Sequence, residues 1–468
     1  MPGDWTSSAV DLHLDLDMSA GRRSGLEHAL REAIRDGRLA PRTRLPSTRA
    51  LARELGIARG TVIAAYDQLV AEGYLNTRQG SGTTVGEVPP VSAGSPTPEA
   101  DPVSPRHDLR PGRPDLSAFP ARAWLRAARR VLTNATAELY ALGDPRGRVE
   151  LRAALTDYLG RARGVLATPD RIVITNGYSQ ALNLLARVLT ESGVTAIALE
   201  EPSHPYYRDL IRRTGLRIVS LPVDDLGART DLLGGTEFAE AGAVVLTPSH
   251  QYPTGATLHP SRRHALTEWA RTPGRLVIED DYDGEFRYDR QPVGAVQGMS
   301  PHAVAYIGTA SKTLAPALRL GWMVLPDHLV EPVTEAKRYA DAQTESLNQV
   351  ILAELIGSHA YERHIRTGRL RYRERRDLLV NRLRRHAPQV EVRGIAAGLH
   401  AFIRLPATGP DEEEIVTRAM TQRLAFNRLA DHWHRPGDHP QGIIVGYSTP
   451  SQNAYPAALD ALCQALTA

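Results

Sequence analysis

The chain has 468 residues, 42% of them apolar, and a net charge of +3; that length predicts two or three packed domains, and the small charge says little about partners. One cysteine, Cys463, excludes an internal disulfide and a cysteine-built metal site, and reads as a small apolar residue of the last helix. Residues 1–17 carry no basic stretch followed by an apolar run, and no apolar run approaches the roughly 18 residues that span a bilayer, so a cytoplasmic protein with no membrane partner is expected.

Residues 22–85 hold 11 arginines against six acids, a local balance of +5. Leu26, Leu30, Ala33 and Ile34 share one helical face, and Gly37 supplies a stop. Ser47 is a good N-cap for a helix through Leu51, Ala52 and Leu55 that ends at Gly56. A second helix follows almost at once, with Val62, Tyr66, Leu69 and Val70 as its buried stripe. Two short helices joined by a glycine-containing turn make a helix-turn-helix. Residues 74–85 then read as a hairpin with a glycine tip. The run LPSTRALARELGIARGTVIAAYDQLVAEGYLNTRQGSGTTV resembles the winged helix-turn-helix of the GntR family. That resemblance implies that the second helix enters the major groove of double-stranded DNA, with Arg59 and Thr61 at its start near bases and phosphates. Arg44, Ser47 and Arg49 would touch the backbone, and the tip at Gly80 and Ser81 would lie against the minor groove.

Residues 86–106 contain six prolines and no aromatic residue, so they read as an extended linker that buries no core. The expected division is a DNA-binding domain over 1–85, a linker over 86–106 and an α/β domain over 107–468. In the last, β-branched runs at 171–175, 196–199, 217–221, 243–247, 275–279 and 303–307 alternate with helical stretches. That alternation predicts a mostly parallel sheet whose strand ends carry the chemistry, forming a large lobe over about 140–330. A smaller α+β lobe over about 331–468 would draw strands from 389–393, 400–405 and 442–446.

Of 56 lysines and arginines only Lys312 and Lys337 are lysines. Arginine cannot form an imine with an aldehyde, whereas a deprotonated lysine can. Thr309 and Ser311 beside Lys312, with Arg319 seven residues on, are groups that hold a phosphate. An aldehyde and a phosphate together point to pyridoxal 5'-phosphate (PLP). The other candidates follow strands. Gly177, Tyr178 and Ser179 open a helix whose N–H groups would cradle the phosphate. His204 is placed to stack on a pyridine ring. Asp280 and Tyr282, two apart, face one way; the carboxylate would meet the pyridine nitrogen and the phenol the ring oxygen. Metal binding or a solvated acidic turn are the alternatives for residues 280–283.

YALGDPRGRVELRAAL, TPSHQYPTG, IEDDYDGEFRYD and GTASKTLAPALRLGW resemble the fold type I aminotransferases, and with the N-terminal domain the whole chain resembles the MocR/GabR regulators. The resemblance assigns Lys312 as the lysine bonded to the cofactor and Tyr140 as the tyrosine that reaches the phosphate of the other subunit in a head-to-tail homodimer. Two positions depart from the aminotransferase pattern. Tyr252 stands where Asn-Pro-Thr-Gly has its asparagine, and Ile444 stands where an arginine clamps a substrate carboxylate. His400, Arg404 and Arg393 are the candidate replacements. The expected function is a PLP-dependent transcriptional regulator, with little or no transaminase activity, sensing PLP itself or an amine or amino acid through a Lys312 aldimine and controlling vitamin B6 or amino-acid metabolism. A working aminotransferase with an appended DNA-binding domain is the alternative.

Overall fold

The computed structural model describes residues 21–78, 82–87, 104–288, 293–394 and 396–467. The N-terminal residues 1–17, the hairpin tip at Gly80 and Ser81, and most of the expected linker lie outside them. Two compact units divide between Val103 and Ser104.

The first unit contains α1 (Arg22–Arg35), α2 (Thr48–Glu54), α3 (Arg59–Ala71) and an antiparallel ribbon of β1 (Leu75–Arg78) and β2 (Gly82–Val85). Ser47 starts α2 as its sequence predicts: its hydroxyl accepts from Ala50 N at 3.2 Å. Leu26, Leu30, Leu51, Val62, Ala65, Tyr66 and Leu69 form its core. Val70, expected in that core, is instead 36% exposed. It lies about 80° around the helix from Val62, and Ala65 takes the inward place.

In the second unit the chain runs through β3 (His107–Asp108), α4 (Ala121–Thr133), α5 (Val149–Arg163), β4 (Ile172–Thr175), α6 (Tyr178–Glu191), β5 (Ala196–Glu201), α7 (Pro205–Arg212), β6 (Arg217–Asp224), β7 (Gly227–Ala228), β8 (Ala241–Leu246), α8 (Pro260–Ala270), β9 (Leu276–Asp280), β10 (Val304–Thr309) and β11 (Gly321–Val324). It continues with α9 (Asp327–Asp341), α10 (Ser346–Gly357), α11 (Ala360–His386), β12 (Glu391–Arg393), β13 (His400–Arg404), α12 (Glu412–Thr421), β14 (Leu424–Ala425), β15 (Asn427–Arg428), β16 (Gly442–Gly446) and α13 (Tyr455–Thr467). The eight-stranded sheet has the order β4-β11-β10-β9-β8-β5-β6-β7. Strands β10, β9, β8, β5 and β6 run parallel, and β11 runs against both its neighbours. Each apolar run read from the sequence became one of these strands, because a parallel sheet covered on both faces demands unbroken β-branched segments. The antiparallel strand β11, in the Arg319–Trp322 region, was not anticipated.

The small lobe is an antiparallel sheet of order β12-β13-β16-β15 covered by α11, α12 and α13. It also takes in β3, which pairs in parallel with β14, and Leu109 in the same core. The first strand of the second unit therefore belongs to the small lobe in space. Among the described residues no helix is long and apolar enough to cross a membrane.

One buried ion pair fixes the end of β9. Arg163 of α5 donates to Asp281 through Nε (2.6 Å) and Nη2 (2.9 Å), and Tyr306 Oη donates to the same carboxylate at 2.8 Å. Both side chains of the pair are at most 4% exposed. Removing one partner leaves a buried charge uncompensated, which costs about 3–5 kcal/mol. Asp281→Ala should lower the stability of this unit by that amount in urea unfolding followed by tryptophan fluorescence, since Trp124, Trp269, Trp322 and Trp433 all lie in it. An unchanged midpoint would contradict the assignment.

Candidate cofactor and effector site

The carboxyl ends of the parallel strands meet at a cavity of about 340 Å³. Lys312 follows β10, Asp280 ends β9, Thr247 and Tyr252 follow β8, His204 follows β5, and Tyr178 and Ser179 follow β4. This is the placement that a doubly wound sheet gives its ligands. Of the residues named from the sequence, Tyr178, Ser179, His204, Asp280, Tyr282, Thr309, Ser311, Lys312 and Arg319 line the cavity together.

Lys312 Nζ donates to Gly112 O at 2.6 Å. Burial pushes its pKa down, opposed by Asp280 and Asp283, which favours the free amine that carbonyl addition needs. Lys337 is different: its amine is spent on Asp341 at 2.8 and 2.9 Å and on Thr344 at 2.9 Å.

The neighbouring carboxylates Asp280 and Asp281 have opposite fates. Asp281 is consumed by Arg163 and Tyr306. Asp280 Oδ1 is buried with no hydrogen-bond partner, and burial drives its pKa well up, with Lys312 opposing. A buried carboxylate oxygen without a donor is costly, and a protonated pyridine nitrogen is a donor that fits it. The His204 ring stacks on Tyr252 (5.5 Å between centroids, 28° between planes) and tilts against Tyr207 at 4.7 Å. Its pKa is lowered to about 4, chiefly by burial, so the ring is uncharged at neutral pH.

The phosphate end is built from backbone as much as from side chains. Gly177 (φ +93°) precedes α6, and a Cβ there would stand 3.5 Å from the Arg319 guanidinium. Arg319 is itself in the left-handed region (φ 52°), unusual for arginine, and donates to Asn176 O. Thr309 Oγ1 donates to Ser311 Oγ at 3.1 Å. A helix N-terminus, two hydroxyls and a guanidinium converge there, the donor set that a phosphate takes. The residues present therefore fit PLP.

Other sequence expectations are revised. Ile444 is fully buried in a cluster with Phe402 and Leu429, packed behind Tyr252, and lies outside the cavity lining. Arg393 pairs with Asp225 and Glu391, and Arg404 is exposed beside a different depression; neither reaches this cavity. His400 does line it, donating from Nε2 to Pro253 O at 3.2 Å. Tyr140 is 64% exposed and outside its own chain's cavity.

Several lining or supporting residues had no local signal. Tyr282 Oη donates to His250 O at 3.0 Å, and His250 Nδ1 meets Asp283 Oδ2 at 2.9 Å. His250, Asp283 and His400 place ligand atoms within 4.8 Å of one another, but His250 and Asp283 already satisfy each other, and the group serves as a hydrogen-bonded backing for Tyr282. Glu200, with a pKa pushed up to about 7 by burial, accepts from Thr247 Oγ1 at 2.5 Å. Arg113 and Asn427 reach the cavity from the small lobe.

In the first unit Arg59 opens α3, Thr61 sits in its first turn, and Arg44, Arg49 and Arg59 are exposed. None of these three arginines has a carboxylate partner among the described residues, whereas Arg31 and Arg42 are paired with Glu72 and Glu87.

Residues 109–433 match the family aminotransferase class I and II, and residues 22–85 match bacterial regulatory proteins, gntR family. The chain is 33% identical over 461 residues to a probable rhizopine catabolism regulatory protein, MocR, of Rhizobium meliloti, covering 93% of this chain and 92% of that one. It is 32% identical to the HTH-type pyridoxine biosynthesis transcriptional regulator PdxR of Corynebacterium glutamicum, covering 91% of each. Among solved structures, the multiple substrate aminotransferase of Thermococcus profundus superposes with a TM-score of 0.70 at 25% identity, over 78% of this chain and 92% of that one. The kynurenine aminotransferase of Pyrococcus horikoshii, solved in complex with PMP, gives 0.69 at 25% identity, over 77% and 90%.

Incubation with PLP followed by borohydride reduction should fix the label on the peptide that carries Lys312. Label on the Lys337 peptide would overturn the site.

Proposed function

Because this chain belongs to the regulators that join a GntR-type DNA-binding domain to an aminotransferase class I and II domain, we propose that it is a transcription factor whose promoter binding is set by the state of the Lys312 site. The observation that carries this reading is the conjunction of exposed arginines without a carboxylate partner, Arg59 at the start of α3 with Arg44 and Arg49 ahead of it, and a cavity lined by Asp280, whose Oδ1 is the one buried carboxylate oxygen left without a hydrogen bond among the described residues. PLP, when bound, supplies an electrophilic carbonyl and a ring that draws electrons. Lys312 would bond that carbonyl, Asp280 would hold the ring nitrogen, Tyr282 would face the ring oxygen and His204 would cover one ring face. Gly177, Tyr178, Ser179, Thr309, Ser311 and Arg319 would hold the phosphate.

The sensed molecule is PLP itself or an amine or amino acid that reaches Lys312. PLP as its own effector needs no groups beyond those just named. An amine effector needs lining that the cofactor leaves unused, and the small-lobe side of the cavity has it. The proposed domain plan is 1–85 for DNA, 86–106 as tether and 107–468 as sensor, in a cytoplasmic protein. The exposed Tyr140 suits a homodimer in which it serves the partner's phosphate, which family members build head to tail. Residual transamination is the competing reading, since Lys312 and Asp280 would serve it equally. Turnover of an amino donor with a keto acid at enzyme-like rates would favour it.

Arg59→Ala should weaken promoter binding by about 1–3 kcal/mol if it reads a base, and Arg49→Ala should chiefly reduce the salt slope. Electrophoretic mobility shifts at several salt concentrations measure both. Undiminished binding after deletion of residues 1–85 would refute the assignment of DNA affinity to that unit.

A further inference from the structure

The cavity has two sides, and the cofactor accounts for one. Pro111, Gly112, Arg113, Tyr252, His400 and Asn427 line the other. Its polar groups are neutral except one. Burial drives the His400 pKa well down, Tyr252 and Asn427 carry no charge, and Ile444, Arg393 and Arg404 are outside the lining. Arg319 is the only other guanidinium that lines the cavity, and it belongs to the phosphate end beside Gly177. Arg113 is thus the cation of the small-lobe side.

Its charge is not cancelled locally. Asp108 accepts from Arg110 through Nε (2.9 Å) and Nη2 (2.8 Å), a two-point pairing, and from Arg113 through Nη2 alone (2.5 Å). Two guanidiniums share one carboxylate, leaving a surplus of one positive charge, and most Arg113 donors are open. Its side chain is 47% exposed, so it stands at the cavity mouth and not in the core. The backbone beneath it is fixed: Ser448 Oγ donates to Arg113 O at 2.6 Å, and Thr449 Oγ1 donates to Arg110 O at 2.7 Å. The preceding residue, Gly112, accepts from Lys312, which brings this segment beside the reactive amine. A held backbone, an open planar donor and a nearby lysine that would carry the cofactor's amine-reactive carbonyl are the parts that recognise a molecule with an amine at one end and an acid at the other.

We infer that Arg113 is the anion-recognition residue of the effector subsite, and that the effector is an amine carrying a carboxylate or sulfonate. This rests on the proposed reading of the Lys312 site and narrows its effector from PLP or any amine to an acidic amine. Arg113 also sits five residues beyond β3, on the first segment of the second unit, so a ligand anchored there acts on the stretch through which the DNA-binding unit is attached.

The test titrates PLP-loaded full-length protein with L-glutamate, 5-aminopentanoate, 3-aminopropanesulfonate and n-butylamine. Binding is followed by calorimetry and by the visible cofactor band. At least one acidic amine should bind wild-type protein more tightly than n-butylamine does. Arg113→Gln should weaken that ligand about tenfold to a hundredfold, the range for a lost charged hydrogen bond, and leave n-butylamine unchanged. Arg113→Lys should recover part of the loss, and Arg404→Gln should bind as wild type. The visible band and thermal midpoint of Arg113→Gln verify that it is folded and loaded. Equal binding of the acidic ligand by wild type and Arg113→Gln, or no preference for any acidic amine in wild type, overturns the inference and leaves the cofactor site standing. No visible band in wild-type protein would instead overturn the cofactor reading beneath it.

Discussion

A buried carboxylate oxygen with no donor of its own is the constraint on which the second unit's cavity depends. Asp280 ends β9, Oδ1 has no partner, and burial raises its pKa. The chain could have satisfied this position with an arginine, as it does one residue later, where Arg163 takes Asp281. It does not, so the structure retains an unfavourable polar burial that a cationic ring nitrogen relieves. Lys312, its own pKa lowered by burial, lines the same cavity. On the proposed reading the cofactor would satisfy both groups, and the binding energy from doing so would be available for conformational change.

How that energy reaches DNA follows from topology. The second unit begins at Ser104, and its first strand, β3, pairs with β14 of the small lobe. Within five residues the chain passes Gly112, whose carbonyl takes the Lys312 amine. The segment is thus tied to the small lobe by Ser448 and Thr449 and to the large lobe by Lys312. On the proposed function, a change at the lysine amine would alter one of the bonds that hold the segment around Gly112. Coupling in this scheme needs two arrangements of one segment, biased by one amine, and no long chain of contacts.

Much of this was legible in the sequence, for identifiable reasons. The candidate cofactor residues could be named because a parallel sheet delivers its chemistry at strand ends, and strand ends are visible as the boundary between β-branched runs and glycine, serine or aspartate. Asp280 was grouped with Tyr282 because residues two apart on a strand face one way, and the structure gives the residue between them, Asp281, to Arg163. The helix-turn-helix was legible because Ser47, Gly56 and the apolar spacing of α3 each mark a boundary. What was missed came from elements remote in sequence. His250, Arg113 and Asn427 sit in loops or two-residue strands whose placement depends on how the small lobe closes on the large one. Arg404 and Arg393 were named by proximity along the chain, yet strand alternation turns the first to solvent, and Asp225 and Glu391 take the second. Val70 was assigned inward on spacing alone, where Ala65, five residues earlier, takes the inward place.

The most direct measurement is the affinity of the full-length protein for its own upstream promoter segment, by fluorescence anisotropy, with the cofactor removed and restored, in wild type and in Lys312→Ala. The account predicts that PLP shifts wild-type affinity or cooperativity and leaves Lys312→Ala unmoved while that variant still binds DNA. Identical PLP responses in both proteins, or none in wild type with any ligand at the site, would contradict it.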